Sequence, residues 1–128
     1  MDYQNYGNQR WHISFGKYSG PEKVAIDMVY GLVQGYVPYV LTASKAGGKL
    51  PETVKNRILM GTLEDNEELR QLAEMGYFRP ETAPEGYSIK CGLDPEYPEG
   101  DLAVLQGADA PGVLYAAADC ERYAIRDE

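Results

Sequence analysis

Residues 20–41, GPEKVAIDMVYGLVQGYVPYVL, form the one long apolar block of the chain, and any fold must be built by covering it. Between Val24 and Leu41 only Asp27, Gly31, Gln34, Gly35 and Pro38 are neither aliphatic nor aromatic. Pro21 suits the first helical position, where a missing N–H costs nothing, and Ser19 or Gly20 can cap just before it. Glu22 then lies in the first turn, where a negative charge favours the helix dipole. Ala25, Met28, Val29, Leu32 and Tyr36 recur at helical spacing, and so do Ile26, Val29, Val33 and Val37. Two overlapping stripes predict a helix that is apolar most of the way round and buried on more than one side. Pro38 pushes Val37 to an extended backbone, so the helix should stop near Tyr36, with 39–42 extended.

The same run is just long enough to cross a bilayer. Asp27 lies inside it, two glycines and a proline interrupt it, and no basic flank anchors it, so the expectation is a water-facing globule with no membrane contact. Gly31 and Gly35 let a neighbouring element come close.

A chain of 128 residues has room for one core, and 44% apolar with 25% charged residues is ordinary for a globular domain. Eleven tyrosines against two phenylalanines and one tryptophan are not ordinary, and suit half-buried positions and interfaces. The polar start MDYQNYGNQ carries no apolar signal core, which reads as a flexible arm over 1–9 ahead of a single domain over 10–128, and as a cytoplasmic location. Cys91 and Cys120 make no disulfide framework and no C-x-x-C pair.

Residues 10–15 alternate, with Trp11, Ile13 and Phe15 on one face and Arg10, His12 and Ser14 on the other, which predicts a strand. SKAGGK, 44–49, reads as a glycine-rich loop. A second helix is expected from Pro51 to Gly61, on the spacing of Val54 and Ile58. Thr62-Leu-Glu-Asp resembles a capping box with the shorter acid at its fourth position. A third helix then runs to Met75, burying Leu69, Leu72 and Ala73, with Gly76 as its left-handed cap. Residues 51–75 thus read as a helical hairpin. Tyr87, Ile89, Cys91 and Leu93 alternate as a strand, and 102–106 form a short apolar strand. Pro111-Gly112 offers a type II turn, so 113–118 are expected to pair back as a strand and 123–126 to form an edge; the alanine triplet suits a helix equally well.

Residues 1–79 carry nine acids and nine bases, so the whole net charge of −8 belongs to the last 49 residues. That surface repels nucleic acid and acidic membranes and attracts a basic partner. Asp94, Glu96, Tyr97, Glu99, Asp101, Asp109, Tyr115 and Tyr123 are the residues expected to meet such a partner, with Tyr87 beside them.

Catalytic arrangements find little support. His12 is the single histidine, so any nucleophile–His pair must use it, and no flanking pattern of a nucleophile site accompanies it. Asp27 is the one acid inside the apolar helix and has Lys23 four residues back as a natural partner. One histidine and two distant cysteines supply no zinc set, and the prolines of DPEYPEGD do not match a calcium loop. SKAGGK lacks the first glycine and the following Ser or Thr of a P-loop, and LPETV lacks the glycine and tail of a sortase signal.

The expected fold is α+β: a long buried helix and a short helical hairpin on one face of a small, mostly antiparallel sheet made of the N-terminal strand and the C-terminal strands. The leading expectation for function is a small non-catalytic interaction or regulatory protein, open to self-association, that binds a basic protein partner through its acidic, tyrosine-rich C-terminal half. The alternative is a small enzyme or ligand-binding domain with a pocket between helix and sheet, using His12, Asp27 and Tyr30. Neither requires a cofactor or metal.

Overall fold

The computed structural model describes residues 10–48, 50, 54–97 and 99–126, with side chains described as far as Arg122. The arm expected over 1–9 lies outside the described residues, as do Lys49, residues 51–53 and Pro98.

Among the described residues eight elements follow in the order β1 (Arg10–Phe15), α1 (Gly20–Gln34), β2 (Thr42–Lys45), β3 (Val54–Gly61), α2 (Glu67–Glu74), β4 (Tyr87–Leu93), β5 (Asp101–Gly107) and α3 (Ala110–Arg126). The five strands form one sheet in the order β2-β1-β3-β5-β4. Helices and sheet together give the expected α+β class.

The sheet itself is not mostly antiparallel. β1 runs parallel to β2 and to β3, and β3 runs parallel to β5; only the outer β4 is antiparallel, to β5. Nor does one face carry all the helices. On β3, Ile58 and Met60 join a core with Ile13, Ala25, Ile26, Val29, Val113, Ala116 and Ala117, whereas Leu59 joins a second core with Leu69, Leu72, Phe78, Leu102 and Val104. Successive side chains of a strand point to opposite faces. So α1 and α3 lie together on one face and α2 covers the other.

Four readings are corrected. Residues 54–60 form strand β3, not a helix, because the run is buried on both faces and shows no period of two. Residues 113–118 and 123–126 belong to α3, so neither is a strand. Val113, Ala116 and Ala117 are fully buried at the i, i+3, i+4 spacing of one helix face, and alanine is the strongest helix former. Pro111 sits in the first turn of α3, where it costs no hydrogen bond, so Pro111-Gly112 opens a helix and not a reverse turn. Ser44 and Lys45, read as loop, end the edge strand β2.

Other expectations hold. β1 and β4 start and stop where alternation placed them. Ser19 stands at the N-cap position of α1, without a side-chain cap hydrogen bond, proline lies in the first turn, and α1 ends at Gln34, two residues before Tyr36. α2 buries Leu69 and Leu72, and Gly76 follows at φ +79°. The Thr62 box forms reciprocally: Thr62 N–H donates to Asp65 Oδ1 at 2.8 Å, and Asp65 N–H donates to Thr62 Oγ1 at 3.2 Å. It closes the turn before α2, whose own cap is Asn66. Among the described residues no helix is long and apolar enough to cross a membrane.

Candidate functional site

In an open, mostly parallel sheet, the crevice lies where consecutive connections leave in opposite directions. Here that point falls between β1 and β3, because β1 connects through α1 on one face and β3 leads into α2 on the other. The C-terminal ends of β1, β3 and β5 meet there, and a cleft of about 520 Å³ opens over them. Lys17 lines it from the loop after β1, Glu22 from the first turn of α1, and Thr62, Glu64 and Asp65 from the turn after β3. Asp109 lines it from the start of α3.

Backbone shape sets this geometry. Gly61 has φ +141°, which other residues rarely adopt, and a Cβ on Gly16 would stand 2.0 Å from Asp65 Oδ1. The two glycines therefore let the Asp65 carboxyl group lie against the strand ends. Asp109 is also committed to the backbone: Oδ1 accepts from Gly112 N–H at 2.9 Å and Oδ2 from Glu85 N–H at 3.0 Å. Glu22 differs. Its residue is 3% exposed, and Oε1 has no hydrogen-bond partner among the described residues. Burial, then the hydrogen bond to Asp65 and that group's charge, push Glu22 up to about 8 against the pull of Lys17. At neutral pH it keeps its proton. Sequence reading took Glu22 as a helix-dipole residue and Asp65 as a cap; their meeting depends on β1 and β3 being neighbours, which no local pattern reveals.

The residues expected to form a pocket divide between the two faces. Asp27 and Tyr30 line a cavity of about 350 Å³ with Phe15, Tyr18, Ile26 and Ala43. Asp27 holds Lys23 at 3.0 Å and accepts from Tyr18 Oη at 2.6 Å; those hydrogen bonds keep its carboxyl below the usual range. Tyr30 Oη donates to the Leu41 carbonyl. His12 is not with them. It lies buried on the opposite face of β1, with Nδ1 2.6 Å from Thr42 Oγ1 and Nε2 2.8 Å from Ser44 Oγ, and burial lowers its pKa.

The residues expected to meet a partner also separate. Asp94 is buried and clamps the buried Arg57 at 2.7 and 2.9 Å. Glu68 accepts from the same guanidinium at 3.1 Å, Glu96 lies 3.7 Å away, and the Tyr97 ring stacks on it at 4.7 Å. These groups tie α2 to β3 and the β4–β5 turn. Glu99 and Asp101 are exposed beside that turn, with Leu93 76% exposed. Tyr115 is exposed on α3, and the side chain of Tyr123 lies outside the described residues.

Two apolar stripes predict a helix buried on more than one side, yet one apolar side of α1 is left open. Val24 is 51% exposed on α1, with Met28 and Leu32 half-buried after it; Tyr36, in the turn just past the helix, is 56% exposed, and Val40 beyond is 75% exposed. Residues 24, 28 and 32 stack on one side of α1. α1 is thus apolar most of the way round, but only its inner side is covered.

No family model and no curated protein matches the chain. A solved structure of a family GH115 4-O-methyl-α-glucuronidase with specificity for decorated arabinogalactans is similar in fold, with a TM-score of 0.50 at 13% identity. The likeness covers 90% of this chain and 14% of that one.

Proposed function

We propose that this chain is a non-catalytic docking domain that seats the outer side of α1 on a larger polypeptide, one that processes carbohydrate. The observation that carries the reading is the stripe Val24, Met28 and Leu32 on α1, with exposed Tyr36 just past its end, an apolar side left open on a domain whose sheet is covered on both faces. The occupant is inferred from proportion: the similar glucuronidase has this fold as a small segment of a much longer chain. That this neighbour is a glucuronidase is what supports a carbohydrate-processing partner here.

The test mixes the domain with a glycoside-processing polypeptide of the same genome that lacks such a segment, and reads association by sedimentation. Binding is expected, with Met28 and Tyr36 protected from hydroxyl-radical labelling in the complex. V24E and Y36E should abolish it while leaving the melting temperature within about 2 °C, since exposed substitutions cost within about 0.5 kcal/mol. Undiminished binding by both variants, or full labelling of both residues in the complex, would overturn the reading.

A second surface has its own support. Around the β4–β5 turn, exposed Leu93 and Tyr97 sit with Glu99 and Asp101, an acidic rim on an apolar patch that suits a basic protein partner. Binding there should weaken steeply with salt and with E99Q/D101N; binding that salt leaves unchanged argues against it.

A further inference from the structure

We propose that the cleft at the ends of β1, β3 and β5 binds a small ligand through a primary ammonium group, with Glu22 and Asp65 as its acceptors. Glu22 is all but wholly buried, lines the cleft, and has one carboxyl oxygen with no partner. A buried acceptor left bare costs about 1–3 kcal/mol unless something donates to it. The lining decides what that donor is. Glu22, Glu64, Asp65 and Asp109 offer acceptors, while among the described residues Lys17 is the one cation in the lining. An anionic ligand would face that excess of negative charge. The N-termini of α2 and α3 are already occupied, by Asn66 and by Asp109, and the first turn of α1 carries Glu22 itself. A metal ion needs more ligands than the site provides, since among the described residues no three acids, histidines or cysteines are placed to hold one. An ammonium group supplies three donors and the missing charge.

The groups facing Glu22 are Asp65 and Glu64 from the turn after β3, Asp109 from α3, and Lys17 from the loop before α1. An arriving cation makes ionisation of Glu22 favourable, so binding should release a proton near neutral pH. The ammonium could come from a diamine or from an amino alcohol. Putrescine and ethanolamine represent these, both charged up to at least pH 8, with ethylene glycol as the neutral control.

Titration calorimetry of the full chain in two buffers of different ionisation enthalpy reads both affinity and proton release. At least one amine is expected to bind while ethylene glycol does not, with affinity rising from pH 6 to 8. E22Q copies the protonated side chain in shape and should fold as the parent does; it should lose about tenfold in affinity and all proton release. K17M should tighten binding about threefold by removing a competing charge. Silence from both amines, equal binding of ethylene glycol, an E22Q protein that binds as well as the parent, or weaker binding by K17M would each overturn the proposal. So would a magnesium titration that binds in the cleft where the amines do not. None of these outcomes bears on the α1 surface.

Discussion

Glu22 and Arg57 show how differently two buried charged side chains can be treated. Glu22 is held near 8 in the folded chain and returns to its ordinary value near 4.5 when unfolded. The native state therefore holds the proton more tightly, and this contribution to stability is complete below about pH 4.5 and lost as pH rises through 8. His12 acts with the opposite sign, because burial lowers its pKa, but its contribution is complete above about pH 6.5. Between pH 6.5 and 8 the Glu22 effect stands alone, and the parent should lose about 1.5 kcal/mol, a few degrees of melting temperature. E22Q should be flat across that window; an equally steep E22Q profile would place the effect elsewhere. Arg57 is fully paired instead, by Asp94, Glu68 and the face of Tyr97. R57A strips the partner from a buried Asp94 and should cost about 3–5 kcal/mol in urea unfolding. A loss under about 1 kcal/mol would mean that water replaces the guanidinium freely.

At the scale of elements, what could be read depended on how many sides each segment buries. β1 and β4 each show a single clean alternation, and their ends were legible. α1 and α2 were legible from Pro21 and Gly76 and from 3.6-residue spacing, although the cap of α2 is Asn66 and not Thr62. β3 was not, because Val54, Ile58, Leu59 and Met60 all face protein, and such a run looks alike as helix or strand. That one misreading removed the middle strand, and with it the parallel sheet, the position of α2 and the meeting of Glu22 with Asp65. α3 was left between two readings because its alanines are small enough for either, and the sheet and α1 decide in favour of a helix. The packing can be checked at Ala117, which has no exposure. A117L should overpack the contact between α3 and its neighbours and cost about 1–3 kcal/mol. P111A should change stability by less than about 0.5 kcal/mol, because the proline only opens the helix. A large loss at Pro111 with none at Ala117 would contradict the observed α3.

For the whole molecule, charge and apolar surface pull association in opposite directions, and salt separates them. The chain carries a net −8, which keeps copies apart at low ionic strength. The α1 stripe is the counterweight, since Val24 and Tyr36 gain from any partner surface that excludes water. With no larger partner present, another copy of the domain is the available one. Raising salt screens the repulsion and leaves apolar burial intact or stronger, so self-association by sedimentation should grow with salt. V24K should suppress that growth, whereas E99Q should leave it unchanged. If contacts between acidic and basic patches governed association instead, salt would dissolve the dimer and E99Q would weaken it. The sign of the salt effect therefore tells which surface the molecule uses before any partner is known.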